Sequence, residues 1–411
     1  MARLLTVLSI MLAPLLVLSL LLRGEPVARI AERLGRPPPL WLEKPGRTRK
    51  TKPPTVLWFH GASVGEVRAV LPLVLDFAGR LAAGDRVLVT VQSAQGYGVA
   101  AEALAEVSSV AVAMAPLDHP GVMARFCRRH SLRGLILYEN EIWPGWLAKL
   151  RLRGVPVVLL DASLSARSLR FWAQRPGLSA VVRAGLDRVT TATAEQARAL
   201  EMMGWGPVQV VPPLKLVGSA LPVDHEELAA WHQWRRGGAA LVVFANVHAG
   251  EIEAIKAICA TQAVSGGQII IAPRYPETVE RFRSILGGEG PELAYWTGFG
   301  TLGTLYALGG TVVMGGGFDP RVGSHNPMEA LRSGCAVVCG PHAGKQSAII
   351  ELLKAAGLIA CWPDWPSFET GEETERGGVK TDQLAALAAQ AEQAAKAAIT
   401  SAMGAMVNGP D

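Results

Sequence analysis

The chain has 411 residues, half of them apolar, with 40 Lys or Arg against 35 Asp or Glu. That composition excludes a disordered chain, and the length suits two α/β domains rather than one. The basic excess is local: residues 1–54 hold ten Lys or Arg against three Glu, which excludes a nucleic-acid-binding surface spread over the body. Cys127, Cys259, Cys335, Cys339 and Cys361 are scattered and odd in number. They predict buried thiols in a reducing compartment, not a disulfide framework or a zinc site.

The first element is the uncharged run Leu4–Leu22. At about 1.5 Å per residue it spans close to the hydrocarbon thickness of a bilayer. Arg23-Gly24-Glu25 stands where a signal peptide would carry its small-residue cleavage site, so residues 1–23 are expected to be a retained anchor. Pro14 leaves open whether it spans or dips into one leaflet. Residues 24–54 are expected to form a basic linker facing anionic headgroups, with the body on the cytoplasmic side.

Residues 55–210 alternate strand and helix signals. Thr55–Phe59, Arg86–Val91, Leu135–Tyr138 and Val155–Leu160 are short β-branched apolar runs, set beside helical stretches such as Val67–Ala83 and Gly98–Glu106. Such runs predict a parallel sheet buried on both faces. Prolines at 207, 212, 213 and 222 suggest a hinge, placed at 211–238. The pattern restarts with Ala240–Ala245, Gln268–Ala272, Thr311–Met314 and Ala336–Cys339, and Asp382–Ala402 reads as an Ala-rich helix closing a second domain, 239–411. Two doubly wound domains facing across a cleft follow, with ligands beyond the carboxyl ends of the strands.

The chemistry is sought at those ends. The first strand runs into His60-Gly61-Ala62-Ser63-Val64-Gly65-Glu66, which is not the glycine fingerprint of a dinucleotide enzyme. Glu66 reads equally as a base for a sugar hydroxyl or as a helix-start charge. Glu139 and Glu141 follow a buried strand; they suit transition-state electrostatics or a structural ion pair. In the second half a strand ends in Gly315-Gly316-Gly317 and a helix is expected to open near Asn326-Pro327. With Arg274 beyond its own strand, this points to a nucleotide phosphate. Lys215 adds a cation near the hinge, and His248 reads as a ligand contact or a satisfied loop residue. No metal or cofactor is expected; charge neutralisation falls to Lys, Arg and helix starts.

The chain resembles the 3-deoxy-D-manno-octulosonic acid (Kdo) transferase family along most of its length. The marks are the apolar start, His60–Glu66, Tyr138–Pro144, Asp161–Ser168, Pro212–Leu216, Asn246–Glu251, Ala272–Glu277, Leu305–Leu308, Gly315–Ala330 and Gly340-Pro341-His342. The resemblance implies a GT-B fold and inverting, metal-free transfer of Kdo from CMP-Kdo to a lipid A precursor at the cytoplasmic face of a bacterial inner membrane. It implies Glu66 as base, with Glu139, Lys215 and Glu141 stabilising the transition state. It places CMP at Pro273, Arg274, Asn326 and Glu329; Gly300, Thr301, Gly315, Gly316, Pro327, Met328 and His248 are further candidate contacts to CMP-Kdo, and Ser63 and Arg167 are candidates for the phosphorylated acceptor. Three positions depart from the family pattern: Thr301 stands for an acidic residue, Ala249 for Glu and Asp161 for Asn. Transfer from another nucleotide sugar, or a membrane-tethered paralogue without catalysis, are the competing readings.

Overall fold

The structure, a computed structural model, describes residues 19, 21–22, 25–36, 55–82, 84–218, 220–235, 240–261, 267–298, 300–363 and 373–403. Two units divide the chain: 1–217 with 390–411, and 218–389. The expected anchor lies almost wholly outside the described residues, among which no helix is long and apolar enough to cross a membrane.

The first unit is a seven-stranded sheet built from β1 (Thr55–His60), β2 (Arg86–Val91), β3 (Val110–Met114), β4 (Ser131–Tyr138), β5 (Val157–Leu160), β6 (Arg188–Thr191) and β7 (Val208–Val210). The order is β3-β2-β1-β4-β5-β6-β7, and every pairing is parallel. Its apolar runs are continuous because helices cover both faces. Side chains of β1 alternate between two cores, as the two-residue period of a strand demands. Leu57 and Phe59 pack with Val67, Val70 and Leu73 of the helix Val64–Gly79. Val56 and Trp58 pack with Phe126, Trp146 and Leu147 on the other side. Trp58 is fully buried, and its indole N–H donates to Thr90 Oγ1 at 2.8 Å. Helix starts follow local rules: Ser63, Ser93, Ser165 and Thr193 cap with their hydroxyls, and Pro120, Pro144 and Pro176 open helices whose first N–H needs no partner.

Three expectations about domain limits are corrected. Within the supposed linker 24–54, Val27–Arg33 is a helix docked on the first unit. Glu32 accepts the Met114 N–H at 2.8 Å, and buried Arg33 pairs with Glu25 at 2.8 Å and reaches the Gln92 side chain at 3.0 Å. These charges are consumed by tertiary partners rather than presented to a lipid surface. Within the supposed hinge 211–238, a 3₁₀ turn Leu214–Leu216 is buried in the first unit, while His225–Trp234 is a helix of the second. The closing helix, Glu373–Met403, does not end in the second domain: Ala395, Ala398, Ile399 and Met403 enter the core that holds Phe59 and Val70, and Lys396 pairs with Asp76 at 2.8 Å.

The second unit holds six parallel strands, β8 (Leu241–Val247), β9 (Gln268–Pro273), β10 (Leu293–Tyr295), β11 (Thr311–Met314), β12 (Ala336–Cys339) and β13 (Ala360–Cys361), in the order β10-β9-β8-β11-β12-β13. Its core gathers Val242, Phe244, Ile255, Ile271, Phe282 and Val313. In each sheet the order reverses between two neighbouring central strands, β1 and β4 in the first and β8 and β11 in the second. In open α/β sheets such a reversal marks where ligands bind, beyond the carboxyl ends of those strands.

Candidate active site

Both reversal points carry the motifs read from the sequence. Beyond β1, Ser63 caps the helix Val64–Gly79, and its hydroxyl donates to Glu66 Oε1 at 3.0 Å. The Ala62 N–H donates to Glu66 Oε2 at 2.6 Å. Glu66 thus reaches back over the helix start to the Ala62 N–H, the residue before the Ser63 cap, while its own N–H donates to Ser63 Oγ at 3.4 Å. Burial raises its pKa against the pull of the Ala62 N–H, and the nearby carboxylates of Glu141 and Glu139 raise it further. One donor per oxygen leaves lone pairs for a hydroxyl proton, so the helix-start and base readings are both compatible with this geometry.

Beyond β4, Glu139 adopts φ 55°, a left-handed conformation that non-glycine residues rarely take. Its Oε1 lies 2.5 Å from Lys215 Nζ. Glu141 Oε2 accepts the Trp143 indole N–H at 3.0 Å and lies 3.1 Å from Nε2 of fully buried His60. Asp161, at the end of β5, is left-handed as well (φ 51°) and buried. Its Oδ2 accepts the Tyr138 hydroxyl at 3.1 Å and the Leu214 N–H at 2.6 Å. Burial pushes this carboxyl up to about 7 in spite of those donors. Arg167 is exposed in the first turn of the helix Ala166–Ala173, whose leading loop is tied to Glu139 by the Ser163 N–H at 3.4 Å.

Beyond β8 and β11, one carboxylate organises the loops. Glu251 is buried and accepts three backbone N–H groups, from His248 at 2.8 Å, Gly316 at 2.8 Å and Phe318 at 3.0 Å. Glycine is required where these loops meet: a side chain on Gly315 would collide with the Asn246 carbonyl, and Gly316 has φ 78°. His248 and His325 stack at 5.1 Å with Nε2 atoms 2.8 Å apart, so one N–H faces the other's lone pair. Burial, then the neighbouring His248 and Arg274, hold His325 down at about 4. Arg274 is exposed just past Pro273, and its backbone N–H donates to the Val247 carbonyl at 2.9 Å.

The expected helix start is shorter than the sequence suggests. Asn326 Oδ1 accepts the Met328 N–H at 3.1 Å, and Pro327 precedes a helix of only five residues, Met328–Arg332. Few peptide dipoles align there, so that helix start is a weak anion site by itself. Met328 is fully buried, while Glu329 is half-buried and electrostatically close to Tyr306 and Arg332. Gly300 is exposed with φ 80°. The Thr301 hydroxyl already accepts the Trp296 indole N–H at 2.9 Å, which leaves its proton and one lone pair to offer a ligand.

Comparisons with known proteins decide the family. The model described as 3-Deoxy-D-manno-octulosonic-acid transferase (kdotransferase) matches residues 28–217. A 3-deoxy-D-manno-octulosonic acid transferase of Bordetella pertussis is 33% identical over 337 residues, covering 75% of this chain and 76% of that protein. The chain belongs to the Kdo transferase family. A Kdo transferase of Aquifex aeolicus is 25% identical, covering 78% of this chain and 83% of that protein. The solved UDP-GlcNAc 2-epimerase of Neisseria meningitidis superposes with a TM-score of 0.54 at 11% identity, over 84% of this chain and 100% of that one. That likeness is one of fold, two parallel α/β units in succession.

Within this Kdo transferase the structure gathers Ser63, Glu66, Glu139, Glu141 and Lys215 at the edge of the first sheet, and His248, Pro273, Arg274, Gly315, Gly316 and Asn326 at that of the second. Asp161, Glu251 and His325 join them without having been singled out as site residues from the sequence. Only Glu251 had a local signal, the capping-box spacing from His248.

Proposed function

We propose that this protein transfers Kdo from CMP-Kdo to a hydroxyl of a lipid A precursor, with inversion, in lipopolysaccharide biosynthesis. The observation that carries the reading is Glu66. Its carboxylate is fixed by Ala62 and Ser63, and burial and its acidic neighbours make it more basic, which suits a base for a neutral sugar hydroxyl.

In the proposed step the acceptor oxygen bonds to the anomeric carbon as its proton passes to Glu66. The bond from that carbon to the phosphate oxygen breaks, and CMP leaves with the electron pair. Lys215, held by Glu139, stabilises charge that develops at the reacting sugar. Arg274 offers the phosphate a planar two-point donor. Gly315 and Gly316 let backbone approach the nucleotide, with Pro273, Asn326 and Glu329 contacting CMP and His248 beside them. Arg167 is proposed to meet an acceptor phosphate. The acceptor is a lipid, which supports the proposal that residues 1–23 hold the enzyme to the cytoplasmic face of the inner membrane.

The test is transfer itself. Protein in detergent is given lipid IVA with CMP-Kdo or with a UDP-hexose, and the lipid is weighed by mass spectrometry. Kdo mass increments from CMP-Kdo alone are expected, and they also count the sugars added. Increments from the UDP-sugar, or none from folded protein, would overturn the reading.

A further inference from the structure

We propose that Asp161 is a positioning residue that sets the Glu139–Lys215 ion pair by holding the residue that precedes each partner. The inference rests on the reading of that pair as part of the transfer machinery.

A single oxygen makes the connection. Asp161 Oδ2 accepts the hydroxyl of Tyr138, whose next residue is Glu139, and the backbone N–H of Leu214, whose next residue is Lys215. Asp161 is itself fixed from behind, because its own N–H donates to Thr190 Oγ1 on β6 at 3.0 Å. Asp161 thus ties the ends of β4 and β5 to the 3₁₀ turn Leu214–Leu216 through its carboxylate, and to β6 through its own N–H.

The pair needs such a frame. Glu139 sits in a left-handed conformation outside any element, and Lys215 sits on a three-residue turn. Both side chains are 23% exposed, and a partly exposed ion pair fixes little by itself. The spacing of Glu139 and Lys215 must therefore come from the backbone beneath them.

That backbone meets at Asp161. The charged and titratable groups around its carboxyl are Tyr138, Glu139 and Lys215. Tyr138 is fully buried, so deleting the acceptor would strand its hydroxyl and the Leu214 N–H without partners. The turn that carries Lys215 would then shift. Asn at this position keeps an acceptor oxygen and nearly the same volume, whereas Leu keeps the branched shape with bulkier methyl groups and loses the acceptor.

The experiment is steady-state transfer by the full chain with CMP-Kdo and lipid IVA. Asp161→Leu is expected to lower kcat by about 100-fold, the scale of a small misplacement of reacting groups, with the KM for CMP-Kdo unchanged. Asp161→Asn is expected to stay near wild type. Combined with Lys215→Met, Asp161→Leu is expected to add no further loss, because groups acting through one partner are not additive. Where Asp161→Leu does not fold, Tyr138→Phe removes one of the two donors and is expected to lower kcat at constant KM, again without effect on top of Lys215→Met. Equal damage from Asn and Leu, a risen KM, or full multiplication of the two losses would overturn the inference. A wild-type rate in Lys215→Met alone would instead overturn the reading of the ion pair on which it rests.

Discussion

At the residue scale, the acidic groups beyond β1 and β4 are not equivalent. Glu66 keeps lone pairs for a hydroxyl, Glu139 is committed to Lys215, and Glu141 is held by His60 and Trp143. Glu141 and Glu139 raise the Glu66 pKa through like charge. Removing the Glu141 charge must then lower it. Glu141→Gln is expected to move the acid limb of kcat/KM to lower pH, read from a pH–rate profile, while an unmoved limb would show that Glu66 does not feel this neighbour. Motifs gave away Glu66, Glu139 and Lys215 because each stands at the end of a recognisable strand. Asp161 and Glu251 were not legible in the same way. Their roles lie in backbone N–H groups 53 and 65 residues away along the chain, Leu214 and Gly316, and no local pattern encodes such a partner.

At the scale of elements, the turn beyond β11 is a close fit of backbone on backbone. A side chain on Gly316 would meet the Gly323 carbonyl, and its φ of 78° suits glycine alone. Gly316→Ala is expected to weaken CMP binding by about tenfold, or roughly 1.4 kcal/mol, in calorimetry, with the first unit's stability unchanged; undiminished affinity would remove this turn from the nucleotide site. The β-branched strands were legible because burial on both faces demands unbroken apolar runs. Val110–Met114 reads VAVAM, with Ala at alternate positions that suit a helix as well, and Arg188–Thr191 reads RVTT, with a single apolar residue. The helix Val27–Arg33 was hidden for another reason. Its charges look like a solvated linker until Met114, Gln92 and Glu25 are brought against them.

At the scale of the molecule, the chain leaves the first unit after residue 217 and returns to it at residue 390. The return is an apolar one, with Ile399 fully buried among β1 and helix side chains. Ile399→Ala is expected to cost about 2–5 kcal/mol, read as a lower midpoint for the first unit in thermal or denaturant unfolding. A midpoint that falls for the second unit alone would place the helix end elsewhere. An Ala-rich helix was legible at the end of the chain, but its destination was not, since Ala presents little surface to distinguish one core from another.

The most direct test of the account is Glu66→Gln in the transfer assay, run beside a CMP-binding measurement on the same folded protein. Gln keeps the shape of the side chain and removes the base. Transfer of Kdo to lipid IVA is expected to fall by about 10²–10⁴-fold while CMP binds as it does to wild type. Transfer at the wild-type rate would contradict Glu66 as the base; lost transfer together with lost folding would assign Glu66 a structural role at the helix start instead.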